Sequence, residues 1–306
     1  MKNTIAFALT ASLIALTPTI QAQSLDFKTI LDKQFPEERN YVPGADSGFE
    51  QYKTQSLRGS GKIVLTFDDG PHPTLTPKLL DILKKYNVKA TFFVLTEKLQ
   101  NPSNREIIKR ILREGHIVAS HDHDHDNNNN ENAEVFRNEL TESVQTITDL
   151  VREVGSSQNG VYYRFPYGAY GKAETYHHMN IMKEVSQNIF ADNCINFAFW
   201  DIDSSDWGPT MTPDMIAENV ISHVKGGNVY SIETKTTIFG SVKYKIKKEV
   251  YRHPPGGGVA LLHDIHARSV DAAEILIKKA LSLGIEIVPL DTVKEFSYGT
   301  KNCRLN

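Results

Sequence analysis

Basic charge is not in excess: 34 lysines and arginines stand against 37 aspartates and glutamates, a formal net charge of −3. Neutralising a phosphate backbone needs a cationic field, so nucleic acid is excluded as a partner. Beyond the N-terminus no apolar run approaches the roughly 20 residues that a bilayer-spanning helix needs. Internal repeats and coiled-coil heptads are also lacking, and the only low-complexity tract, Asn127 to Asn130, reads as a solvated loop. Cysteine is nearly absent. Cys194 and Cys303 are compatible with one disulfide tying the C-terminus to the body or with two free buried thiols, and spacing does not choose between them.

The N-terminus sets the expected compartment. Lys2, an apolar stretch from Ile5 to Leu16, and small Ala22 before Gln23 follow the order of a secretory signal peptide, so residues 1–22 are set aside from the fold. The apolar run is too short for an anchor, and the processed chain is expected to be exported, periplasmic or secreted, with no membrane span. Residues 23–60 are rich in Gln, Pro, Gly and Ser and read as an N-terminal extension packing on the main domain.

From Lys62 a strand-then-helix rhythm begins. Strands are predicted at Ile63 to Phe67, Ala90 to Leu95, His116 to Ala119, Val161 to Arg164, Phe197 to Trp200, Val259 to Leu262 and Ile285 to Val288. Helical spacing lies between them: Leu75 to Tyr86, Asn104 to Glu114, Ala133 to Val154, and segments near Thr175 to Gln187, Pro213 to Val224 and Val270 to Leu283. Seven such units suggest an α/β fold built on a parallel barrel, spanning about 61–299. An insertion of about 226–256 interrupts it, and Val229 to Tyr251 reads as a β-hairpin.

In a parallel barrel the active face lies at the C-terminal ends of the strands. Five polar clusters sit there. Asp68 and Asp69 precede a Gly70-Pro71 turn, and adjacent carboxylates near a cation divide into ligand and base. His121 and His125, four apart, share a face on a helical turn at zinc-ligand spacing, while His123 points elsewhere. Arg164 heads Phe165-Pro166-Tyr167-Gly168, where a guanidinium holds a carboxylate ionised and the turn presents N–H groups to an oxyanion. Trp200 to Trp207 carries acids and two indoles, and an indole near such a site often makes a platform for a sugar ring. His263-Asp264 closes the last cluster with a candidate acid or base.

Five clusters in this order resemble the motifs of the polysaccharide deacetylase family, also called the NodB-homology family or carbohydrate esterase family four. Thr66-Phe67-Asp68-Asp69-Gly70-Pro71 matches its first motif, Gly115 to His121 leads into the second, and the match covers roughly Lys62 to Phe296. The resemblance implies a deformed (β/α)7-type barrel holding zinc, with cobalt or nickel as variants, through Asp69, His121 and His125. It implies Asp68 as the base, Arg164 as its partner, the Tyr167 N–H in the oxyanion hole, and His263 as the acid tuned by Asp203. Trp207, Leu261 and Tyr167 would contact the substrate. That substrate would be an N-acetylglucosamine polymer, peptidoglycan first, with chitin oligomers, poly-N-acetylglucosamine and acetylated xylan as alternatives.

Asp122 departs from the pattern, which usually has Ser or Thr there. It would orient a ligand, shift metal preference, or supply a fourth ligand that closes the site. Two readings of other classes remain, a non-catalytic carbohydrate-binding protein and a metal-binding protein centred on residues 121–126.

Overall fold

The computed structural model describes residues 54–158, 160–170, 178–236, 240–296, 303 and 305. The expected signal peptide and residues 23–53 of the extension lie outside them. Among the described residues eight strands form one sheet and two more a separate ribbon. In chain order these are β1 (Lys62–Gly70), β2 (Thr91–Val94), β3 (Ile117–Ser120), β4 (Val161–Tyr163), β5 (Ile195–Phe197), β6 (Ile202–Asp203), β7 (Gly227–Thr236), β8 (Val242–Tyr251), β9 (Gly258–His263) and β10 (Glu286–Ile287). The path β5-β4-β3-β2-β1-β9-β6 is parallel throughout, and β10 joins the start of β1 at Lys62 and Ile63.

This arrangement is a half-barrel of the expected α/β kind. Two details differ from the sequence reading. The path's last strand is the two-residue β6, and the segment predicted to close the barrel, Ile285 to Val288, is the short β10 at the base of β1. The fifth strand runs from Ile195 to Phe197, ending three residues before Trp200, and beyond it the Asp201 carboxylate accepts from Thr54 N and Val259 N at 2.8 and 2.7 Å.

Among the described residues six helices cover the outside: α1 (Leu75–Tyr86), α2 (Pro102–Arg113), α3 (Ala133–Val154), α4 (His178–Phe190), α5 (Pro213–Lys225) and α6 (Ala267–Ser282). Their boundaries follow local chemistry. Asn101, Asn132 and Thr212 cap α2, α3 and α5 through side-chain oxygens that accept from otherwise orphaned N–H groups. Asn87 and Gly155 end α1 and α3 in the left-handed conformation. Apolar faces such as Leu79, Leu80, Ile82 and Leu83 pack on the sheet.

Alternation along the strands divides two cores. Ile63, Leu65 and Phe67 of β1 face the helices, whereas Val64 faces the barrel interior. The same parity puts Val118 outside and Ala119 inside on β3, Tyr163 outside and Tyr162 inside on β4, and Leu262 outside and Val259 inside on β9. Leu57, Leu290, Val293 and Phe296 close the interior core, so its opposite mouth is left for polar groups.

The insertion is an antiparallel hairpin, with Gly227 paired to Tyr251 and Thr236 to Val242. Cys194 and Cys303 are joined. Across a sequence separation of 109 the bridge removes roughly 4–5 kcal/mol of chain entropy from the unfolded state.

Candidate active site

Continuing the interior parity of each strand by two residues or four leads to the site. Val64 is followed by Thr66 and Asp68, Ala119 by His121, Tyr162 by Arg164, and Val259 by Leu261 and His263. Asp69 comes round to the same place because its backbone is left-handed, with φ 70°, where the pairing of β1 with β2 shifts register between Asp68 and Gly70. Gly70 itself is required there: a Cβ would lie 2.5 Å from the buried Asp264 carboxylate.

The cleft at the mouth measures about 400 Å³ and is lined by Asp68, Asp69, His121, His125 and His263 on its polar side. Tyr167, Trp200, Asp203, Trp207 and Leu261 complete the wall. Every predicted site residue therefore borders the cleft except Arg164, which is fully buried behind Asp68.

Arg164 is held from every direction. Its Nη1 donates to Asp68 Oδ1 at 2.8 Å and to Thr66 Oγ1 at 2.7 Å, Nε donates to Ala198 O at 2.7 Å, and the guanidinium lies 3.9 Å from the Phe93 ring centre. A buried charge satisfied in this way fixes the Asp68 carboxylate. Removing either partner would strand the other, at a cost of about 3–5 kcal/mol.

His121 Nδ1 donates to Arg164 O at 2.8 Å, which leaves Nε2 as the lone-pair atom facing the cleft. Nε2 of His121 and His125 approach Asp69 Oδ1 at 3.4 and 3.2 Å. Potential ligand atoms of Asp69, His121 and His125 all lie within 4.8 Å of one another, and Asp69 Oδ1 is buried with no hydrogen-bond partner. Burial opposes ionisation of Asp69, but the two histidines outweigh it and hold the carboxyl well below its ordinary range. One carboxylate and two imidazoles with an orphaned oxygen fit a divalent zinc-like cation.

The two histidines do not share a helical turn, as their spacing suggests. They lie on a loop in which Asp122 and His125 have φ 75° and 73°. His123 does turn away, with Nδ1 3.1 Å from Thr96 Oγ1. Asp122 is not a fourth ligand: it is fully buried and bonded to the Asn128 amide, outside the Asp69-His121-His125 group.

The hydrogen-bonded partner of His263 is Asp206, and Asp203, the expected one, acts on it only as a nearby charge. Asp206 Oδ1 accepts from His263 Nδ1 and Oδ2 from His263 N, both at 2.7 Å, whereas Asp203 Oδ1 accepts from Ser205 N at 2.7 Å. Sequence reasoning missed Asp206 because Asp201, Asp203 and Asp206 crowd one strand end. The left-handed Ser205, φ 58°, aims the chain so that only the last of them meets His263. Arg268 Nε pins this turn by donating to Asp206 O at 2.6 Å.

Burial disfavours the charge on His263, yet Asp206, followed by Asp69 and Asp68, raises its pKa to about 10. The imidazolium–Asp206 pair thus stabilises the fold fully below about pH 6.5 and loses that contribution as pH rises through about 10. As the acid that the resemblance implies, His263 would act only while protonated, and activity would fall as pH passes its pKa. Asp206→Asn is expected to move the alkaline limb of the kcat/KM profile down by about 1–3 pH units. An unchanged limb would show that Asp206 does not set this group.

The family profile for polysaccharide deacetylase matches residues 57–185. A peptidoglycan-N-acetylglucosamine deacetylase of Listeria monocytogenes is 30% identical over 264 residues, covering 86% of this chain and 44% of that protein. This chain therefore spans less than half the length of that curated relative. A chitooligosaccharide deacetylase of Rhizobium leguminosarum is 31% identical over 173 residues, 56% of this chain and 67% of that protein. A solved peptidoglycan N-acetylglucosamine deacetylase superposes with a TM-score of 0.55 at 28% identity, covering 81% of this chain and 95% of that chain. With the five strand-end clusters meeting in one cleft, these likenesses give one assignment: the chain belongs to the polysaccharide deacetylase family.

Proposed function

We propose that this chain is an exported, metal-dependent hydrolase that removes N-acetyl groups from N-acetylglucosamine residues of a cell-wall polysaccharide, peptidoglycan foremost. The observation that carries the reading is the convergence of Asp69, His121 and His125 beside a carboxylate locked by Arg164, with His263 facing them. Names of relatives favour peptidoglycan or chitooligosaccharide as the substrate class.

Asp69, His121 and His125 would hold the cation, zinc by its donor set, with cobalt or nickel as substitutes. When bound, it supplies Lewis acidity toward water and the acetyl carbonyl. Asp68, whose Oδ1 is committed to Arg164, keeps Oδ2 on the cleft side, 3.7 Å from His121 Nε2, and takes the proton of the attacking water. His263 directs Nε2 into the cleft, 4.0 Å from Asp69 Oδ2, because Nδ1 is occupied by Asp206, and it delivers a proton to the departing amine. The N–H of Tyr167, in a left-handed turn with φ 56°, serves the developing oxyanion.

Leu261 and the indoles of Trp200 and Trp207 give the acetyl methyl an apolar wall. Tyr167 and Trp207 remain 66% and 42% exposed, which leaves ring faces for sugars flanking the reactive residue. A half-open cleft of this kind suits a polymer rather than a small metabolite.

The test is acetate release from purified peptidoglycan, chitin oligomers and acetylated xylan, with zinc content measured on the same sample. Release from the N-acetylated polymers at one zinc per chain is expected. Activity confined to xylan would remove the amide reading, and several bound metals without acetate would favour a metal-binding protein.

A further inference from the structure

A second set of acids lies beside the loop that carries His121 and His125. Asp122 follows Ser120, whose hydroxyl points outward to Ser143 of α3. Its carboxylate likewise leaves the cleft and meets Glu131 and Glu139, the latter on α3. Carboxylate oxygens of the three residues lie within 4.8 Å of one another, and this group shares no member with Asp69, His121 and His125.

The cluster is poorly satisfied by protein alone. Asp122 Oδ1, Glu139 Oε2, Asn128 Oδ1 and the Tyr163 hydroxyl are all buried without a hydrogen-bond partner. Asp122, Asn128 and Tyr163 are each 0% exposed. Tyr163 comes from β4, independently of the acids, and its hydroxyl faces Asp122. Among the described residues no lysine or arginine forms an ion pair with any of the three acids, and His178 Nε2 is spent on Asn128 O at 2.6 Å. Of the orphaned atoms, Asp122 Oδ1, Glu139 Oε2 and the Tyr163 hydroxyl lie about the acids themselves, more than a native interior ordinarily leaves unpaired in one place.

The Asn128 amide is directed at the acids, donating to Asp122 Oδ2 and, at 3.2 Å, to both oxygens of Glu131, and the His123 backbone N–H also supports Asp122. The amide's nitrogen and oxygen are nearly interchangeable in shape. Turning it over would aim its unpaired Oδ1 at the same point. Burial and the surrounding carboxylates, Asp122 first among the charges, push Glu131 to about 7 and Glu139 to about 8, a repulsion that a cation would relieve.

We propose that Asp122, Glu131, Glu139 and Asn128 form a second metal site, distinct from the deacetylase centre, that binds one Ca2+. Every donor is an oxygen, which selects a hard cation over zinc. A separation of up to 4.8 Å equals the span across an ion with bonds of roughly 2.4 Å. Waters would complete the coordination, and the Tyr163 hydroxyl is placed to bond one of them. The ion would tie the loop after β3 to α3, and so fix the segment from which His121 and His125 reach the cleft.

The test is equilibrium dialysis of the full chain, already saturated with zinc, against Ca2+. One Ca2+ per chain is expected, with a melting temperature raised by about 5 °C at a hundredfold excess over Kd. Glu139→Gln and Glu131→Gln should each weaken Ca2+ by at least about tenfold, whereas Asp124→Asn, beside the site, changes it little. Both glutamine variants remove repulsion, so they should keep the zinc content and circular dichroism of the parent. No stoichiometric Ca2+ in the zinc-loaded parent would overturn the proposal, whatever the variants do. So would full Ca2+ binding by the double variant, which would place the ion on Asp124 and Asp126. Tighter binding of Mg2+ than of Ca2+ would overturn the choice of ion.

Discussion

Asp68→Asn is expected to lower acetate release about a thousandfold while the chain retains its zinc. The substitution keeps an oxygen for Arg164 Nη1 to donate to, 2.8 Å away in the parent, so local geometry survives. What disappears is the basic oxygen that, in the proposed mechanism, accepts the water's proton. The proposed ligands Asp69, His121 and His125 are untouched, so metal content separates lost chemistry from a lost site. Asp68→Ala goes further and leaves a fully buried guanidinium without its counter-charge, which lowers the melting temperature as well. Turnover by Asp68→Asn within a few-fold of the parent would assign the base to another group.

Much of this site was legible in the sequence because strand parity and strand ends are sequence-level quantities. Once Ile63, Leu65 and Phe67 are placed toward the helices, Thr66 and Asp68 must point inward, and Arg164 follows Tyr162 by the same rule. The unread parts depend on backbone turns that periodicity does not encode. Asp206 rather than Asp203 reaches His263 because Ser205 adopts a left-handed conformation, which serine does not announce. His121 and His125 meet across a loop with two left-handed residues, so their spacing pointed to a pair that does come together, but through a helical geometry the chain does not adopt. Asp122 was ambiguous for a related reason. Its neighbours Asn128 and Glu139 lie 6 and 17 positions away, and only the packing of α3 on the sheet brings them together.

His125→Ala is expected to weaken zinc binding by well over a hundredfold and to abolish acetate release. Loss of an outer-shell partner alone typically costs about 10- to 100-fold in metal affinity. His125 is a predicted direct ligand, so its loss should cost more. His125 is partly exposed on its loop, with a side-chain exposure of 24%, so truncation there leaves the fold largely intact. His121→Ala should lose zinc equally but also destabilise the chain, because that ring is buried and its Nδ1 donates to Arg164 O. His123→Ala supplies the contrast. It removes an imidazole from the same His-Asp run, yet its ring faces Thr96, and zinc affinity should stay near that of the parent. Chelator competition across the three variants reads the difference directly. Equal weakening by all three would mean that the run binds metal as a diffuse acidic and imidazole-rich loop, and the cleft would then lack the defined cation on which Asp68 and His263 depend.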